Sequence, residues 1–244
     1  MHREKFNFSD IKIYDTSMFP KVSREDFLKE SHLYQLNLAL KPYEKYIKFT
    51  EDYLDNQAEN FQRKHLESLQ NENKDWRKSE EFAQQMLEID NEFAQRFRES
   101  IIVQLFSFFE RTIVSSCEMY YSNKEINESN FDGTPDKAGF DYAKTFLKKN
   151  AGINLKDIND VLDFFAKLNT LRNRIVHDQT FYFYDEEKII NDLRALSKNR
   201  FKLVKQKTYP TMFHIYFDEP KFSLEIIEKI KSLYHKLGQN GVYY

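Results

Sequence analysis

The sequence predicts a mainly α fold: an antiparallel helical bundle with long N-terminal helices, completed by a small C-terminal β-hairpin and a last helix. Three observations predict it. The 244 residues include only 5 Gly and 5 Pro, too few for the tight turns of a many-stranded sandwich or barrel. Apolar residues recur at steps of three, four and seven over long stretches, which is the spacing of one helix face. Strand-like segments flanked by turn formers occur only near the C-terminus.

The elements follow in order. Residues 1–20 are mixed and aromatic-spotted and end on Pro20. Ser23 and Asp26 have the form of a capping box, so a helix should start there and run to about Leu40, where Pro42 interrupts or kinks the chain. From Tyr43 a second stripe passes through Ile47, Leu54, Phe61 and Leu69. The polar stretch Gln70 to Lys78 reads as a turn or weak link. Periodicity resumes at Phe82 and continues to about Tyr121. It is most apolar from Ile101 to Phe109, which should lie deepest in the bundle.

Residues 122–138 are rich in turn formers and read as a long loop. A short helix should span Phe140 to Asn150, with Gly152 just past its end. The next helix should open at Asn154 or Leu155, with Asp157 and Asp160 in its first turns, where the helix dipole favours negative charge. Its stripe runs through Ile158, Leu162, Phe165, Leu168, Leu171 and Ile175. QTFYFYD from Gln179 is either a short strand or an extended return. Glu186 to Lys198 reads as a helix, Phe201 to Gln206 and Met212 to Phe217 as a hairpin, and Phe222 to Leu237 as the last helix, ended by Gly238. The expected organisation is one domain over residues 1–244. Its bundle core lies at about 80–180, with a helical extension over 1–80 and the hairpin and helix over 181–244.

Composition excludes several classes. Aromatic residues are 16% of the chain, which argues against intrinsic disorder. A lone Cys117 permits neither an intramolecular disulfide nor a multi-Cys metal site. No His-x-x-x-His or His-Glu-x-x-His spacing occurs among His32, His65, His214 and His235, and no Gly-rich phosphate loop exists. No metal and no cofactor are therefore expected. No run of about 18 apolar residues and no signal-like N-terminus appear, so the expectation is a cytoplasmic chain without a membrane span. With a net charge of -2, any nucleic-acid contact must come from a local patch. Lys198, Arg200, Lys202, Lys205 and Lys207 form one basic stretch, which reads either as such a patch or as a solvated hairpin surface.

The chemistry-bearing segment is Leu168 to Asp178, LNTLRNRIVHD. Arg172, Asn173 and His177 are its polar members, with Ile175 and Val176 expected to anchor it in the core. Arg carries a planar fork of donors matched to a phosphate. His can accept or donate a proton near neutral pH. Asn173 precedes His177 by four residues and shares its helix face, where it can orient the ring or hold a phosphate oxygen. Arg172 and His177 are five residues apart, about 140° around an ideal helix. Either the helix ends before His177 and the ring swings back, or two copies of the motif converge. An Arg and a His near a helix C-terminus are also favoured there simply by the dipole and by capping.

The Arg-Asn-x-x-x-His string, with the preceding DYAKTFLKKNAGINL and the earlier SFFERTI helix, resembles the HEPN family over roughly residues 80–180. The resemblance implies a metal-independent endoribonuclease, acting as a toxin or antiphage defence effector. It also implies a homodimer in which two motifs meet across a two-fold axis, and RNA as substrate. In that reading Arg172 binds the phosphate, His177 does acid–base work, and Asn173 orients them. Lys144, Lys148, Lys202 and Lys205 guide RNA, and Glu110 or Asp178 orients the catalytic pair. Glu110 has a competing reading as a partner of Arg111 or of a surface lysine. A HEPN toxin subgroup carries a modified Tyr two residues after the His. Here that position is Gln179, so an antitoxin or defence partner, if one acts, works by another route. The alternative to an enzyme is a non-catalytic HEPN-like helical protein that binds nucleic acid, nucleotide or a partner protein.

Overall fold

Ser23 opens the first helix as its capping pattern predicts. Its Oγ accepts the Asp26 amide at 3.0 Å and donates to the Asp26 carboxylate at 2.7 Å. Helix α1 spans Arg24–Gln70 in the computed structural model of the chain, which describes residues 23–70, 76–123, 139–149, 156, 158–177, 182–184, 187–205, 207–208 and 212–242. The expected break at Pro42 does not occur, and α1 runs through it. The reason lies in where Pro42 sits. It is on the exposed side, where water can take over the hydrogen bond its missing N–H would have made. Leu36, Leu40 and Ile47 are buried on the other side. At about 1.5–3 kcal/mol per buried side chain, their burial outweighs a proline cost of about 3 kcal/mol.

The second long helical stretch is three pieces: α2 (Trp76–Leu87), a π-helical turn (Glu88–Phe93) and α3 (Ala94–Asn123). The Ala94 amide bonds back to the Ile89 carbonyl, and this wider turn rotates the face beyond it by about 100°. His65 of α1 stacks on Phe82 of α2, with ring centroids 4.1 Å apart. Beyond the π turn, Ile101, Ile102, Leu105 and Phe109 are fully buried, so the deepest part of α3 is the stretch its composition marks.

Helices α4 (Phe140–Lys149) and α5 (Asn159–His177) pack on α3. Phe109 joins all three: its ring stacks on Phe165 of α5 at 3.6 Å between centroids and tilts against Phe140 of α4 at 5.5 Å. Helix α5 begins about one turn later than expected, and the Ile158 carbonyl accepts the amides of Val161 and Leu162. Asp160 is in the first turn as anticipated. Asp157, Gly152 and residues 124–138 of the expected loop lie outside the described residues.

The C-terminal part is a three-stranded antiparallel sheet, ordered β1 (Tyr182–Tyr184), β3 (Met212–Tyr216), β2 (Lys202–Lys205). The expected hairpin is present as β2 and β3, with Val204 opposite His214. Within QTFYFYD, Tyr182–Tyr184 take the strand reading, placing Phe183 opposite Phe213 on the other edge of β3. Helix α6 (Glu187–Ser197) links β1 to β2, and α7 (Lys221–Gln239) follows the sheet. Gly238 is buried inside α7 rather than ending it; Gly241, at φ 76°, makes the left-handed turn. One apolar cluster extends from Leu36 to Val242. Among the described residues no helix is long and apolar enough to cross a membrane.

Cys117 lies in this core with no exposed surface. Burial, helped by the Glu118 charge, pushes its thiol up to about 12. At pH 8 roughly one thiol in ten thousand is then ionised. A thiol reagent is expected to leave Cys117 untouched in the native protein and to titrate one thiol per chain after denaturation. Native labelling within minutes would contradict that burial.

Candidate functional site

The last two turns of α5 are seated by Leu168 and Leu171, both fully buried. Ile175 continues that face and packs against the core. Val176 does not, contrary to expectation: it is 43% exposed. Helical spacing explains why. Val176 stands four residues after Arg172 and three after Asn173, so it lies on their face and not on that of Ile175.

Arg172 and Asn173 are half-buried and His177 is exposed. Arg172 Nη1 donates to Asn173 Oδ1 at 2.9 Å. Arg172 Nε is buried and has no hydrogen-bond partner among the described residues. A buried donor without an acceptor is costly and calls for an explanation. Asn173 thus holds one arm of the guanidinium and leaves other donors for an anion. Helix α5 remains helical through His177. Of the two ways to bring Arg172 and His177 together, the helix ending before His177 is therefore not the one adopted. Within one chain they stand about 140° and about 7.5 Å of rise apart, with Val176 and Asn173 between them.

Glu110 has a partner on α4. Its carboxylate accepts the Phe140 amide at 3.1 Å and so caps the start of α4. Gly139, at φ 86°, makes room for it; a Cβ there would run into the Glu110 carboxylate. Asp178 lies outside the described residues.

The four candidate RNA-guiding lysines sit on two elements, α4 and β2. Lys144 and Lys148 are exposed on α4, beside the face that buries Phe140, Ala143, Phe146 and Leu147. Lys202 bonds Asp218 at 2.9 Å, and the Lys205 ammonium lies 5.9 Å from the centre of the Phe213 ring. Arg200, in the same basic stretch, is a structural tie. It forks onto Glu225 of α7 at 2.6 and 2.7 Å and lies over the Phe164 ring.

That fork has a pH signature. The hydrogen bonds from Arg200 hold the Glu225 carboxylate below its ordinary 4.5, against the opposing effect of burial. A lowered carboxylate contributes stability above about pH 4.5 that disappears as pH falls through the folded value. The melting temperature of the wild type is expected to drop more steeply between pH 4.5 and 3 than that of Glu225→Gln. Parallel curves would show that the pair contributes nothing.

A second polar assembly, absent from the sequence-based expectations, stands at the start of α3. Gln95 donates to the Ile215 carbonyl at 3.1 Å and accepts the Phe217 amide at 2.9 Å, extending the edge of the sheet into the helix. Arg98 forks onto Glu51 of α1 at 2.8 and 2.5 Å and also reaches the carbonyls of Phe217 and Asp218. Polar residues at 95, 98 and 99 inside an apolar stripe are a readable signal of something buried, but their partners are not local. A groove of about 740 Å³ between α1 and α7 is lined by several carboxylates. Of these, Glu51 is paired with Arg98, Glu225 with Arg200, and Glu44 and Glu228 with Lys231. No motif residue lines it. Compared with known proteins, the chain matches no family model, no curated protein and no solved structure.

Proposed function

We propose that the chain is a metal-independent endoribonuclease of the HEPN type, acting in the cytoplasm as a toxin or antiphage effector. The observation that carries the reading is the end of α5: a half-buried Arg172 steadied by Asn173, a buried Nε without a partner among the described residues, and an exposed His177 closing the same helix. A phosphate is the ligand that fits a steadied guanidinium with donors to spare. In the reaction an imidazole takes the proton of a 2′-hydroxyl, whose oxygen attacks phosphorus. A second acid returns a proton to the departing 5′-oxygen, leaving a 2′,3′-cyclic phosphate and a 5′-hydroxyl. Two copies across a two-fold axis supply both imidazoles and both guanidinia. Lys144, Lys148, Lys202 and Lys205 attract the RNA strand.

The test is cleavage of RNA by the purified chain in the presence of a chelator, with end-group analysis for the cyclic phosphate. Cleavage by the wild type and its loss in His177→Ala is the expected result. Full activity in His177→Ala overturns the mechanism. A second reading, a non-catalytic HEPN-like binding protein, is favoured by one observation: α5 stays helical through His177, so a lone chain keeps the two residues on different faces. RNA binding without cleavage, abolished by Arg172→Ala, would decide for it.

A further inference from the structure

Helix α1 has two apolar faces, and the fold uses one. Leu36, Leu40 and Ile47 are buried against the rest of the chain. On the opposite side, separated by about 160° at 100° per residue, lie Phe27, Tyr34, Leu38, Tyr46, Phe49 and Tyr53. Each of these is between 48% and 71% exposed. They follow one another at helical steps, so they form a continuous stripe about 40 Å long. An aromatic side chain has roughly 150–250 Å² to bury, so the stripe offers on the order of 600 Å² of apolar surface. That is close to the ~800 Å² per partner of a standard interface and at the upper end of what a monomer leaves uncovered.

The spacing names the occupant. In an antiparallel helix pair related by a two-fold axis, residues equidistant from the axis meet. About residue 40 most of the stripe mirrors itself along the chain: Leu38 matches Pro42, Tyr34 matches Tyr46, and Phe27 matches Tyr53, while Phe49 falls opposite Ser31. The six matched positions are on the exposed side. Pro42 completes the pattern: it lies on the solvent side of an unbroken helix, next to the proposed axis. Tyr46 is the rim of the stripe, resting one edge on Phe97 of α3 with ring centroids 5.4 Å apart. A partner of unrelated sequence would have no reason to require this symmetry.

We propose that the exposed stripe of α1 is an interface with a second copy of this chain, the two α1 helices antiparallel and crossing near residue 40. The contact is distinct from the one invoked for the motif on α5 and does not depend on it. Distances between spin labels separate the two. Cys117 is buried with its thiol pushed up to about 12, so a label can be directed to an introduced cysteine on the full chain. Lys41→Cys places two labels beside the axis, closer than about 30 Å, whereas Asn60→Cys separates them by roughly 60 Å along the helices.

The expected result is that short distance at 41, that long one at 60, and their loss when Tyr34→Glu and Tyr53→Glu are added. Both tyrosines are more than half exposed, so the circular dichroism spectrum should not change. The two charges should weaken the self-association by about a hundred-fold or more. A monomeric wild type overturns the proposal, as does a dimer with distant labels at 41. An unchanged distance at 41 in the doubly charged variant overturns it as well.

Discussion

Arg98→Ala is expected to lower the unfolding free energy by about 3–5 kcal/mol, read from urea denaturation. The side chains of Arg98 and Glu51 are only 12% and 10% exposed, so each would be a desolvated charge without the other. Burial alone would lower the pKa of Arg98. The forked bond and the charge of Glu51 outweigh that, and the guanidinium is held above its ordinary value. Truncation strands Glu51 and removes the donors to the carbonyls of Phe217 and Asp218 at once. One side chain therefore joins α1, α3 and the end of the sheet. Replacing both partners by apolar residues, Arg98→Met with Glu51→Leu, is expected to recover most of the loss, because neither charge is then stranded. By contrast, Lys202→Ala, which breaks the exposed pair with Asp218, should cost less than about 1 kcal/mol. A loss below about 1 kcal/mol for Arg98→Ala would mean that water reaches Glu51 and that the joint is not dry.

The same joint shows which part of the fold the sequence discloses. Local signals were readable. Ser23 caps α1 through its own neighbour Asp26, the apolar density of Ile101 to Phe109 marks the deepest turns, and the hairpin strands fall within a residue of their expected ends. Each of these depends on residues a few positions apart. What was not readable depends on contacts across the chain. Pro42 looks like a break until the burial of Leu36, Leu40 and Ile47 on the far face is known. Glu110 looks like a partner for a charged side chain, yet it caps a helix that starts thirty residues later. Arg98 and Glu51 are 47 residues apart, and no period in the sequence links them. At the candidate site the placement of Arg172, Asn173 and His177 on the last turns of one helix was legible, and so was their angular separation. Val176 differs from its expected burial by helix phase: its spacing from Arg172 and Asn173 puts it on the polar side.

His177→Ala is expected to reduce RNA cleavage by about 10²–10⁴-fold, the usual contribution of a positioned acid or base. Arg172→Ala should be similarly damaging, and Arg172→Lys should not rescue it, because an ammonium cannot reproduce the fork that holds Asn173 and that, in the proposed reaction, faces a phosphate. Asn173→Ala should act more mildly and mainly on the guanidinium it steadies, since the 2.9 Å bond is one of several determinants of that side chain's pose. The exposed Val176 gives the sharpest discrimination. It stands on the helix face between Arg172 and His177 and touches neither proton nor phosphate. If two motifs meet across a two-fold axis, Val176 is buried in that meeting, and Val176→Asp should abolish cleavage as fully as His177→Ala while leaving the helical signal intact. If each chain acts alone, Val176→Asp should leave the rate within a few-fold of wild type. Single-turnover cleavage rates of the five variants, measured on one RNA in chelator, distinguish a shared cleft from a solitary one. An active Val176→Asp beside an inactive His177→Ala would remove the two-fold cleft from the mechanism and keep the imidazole.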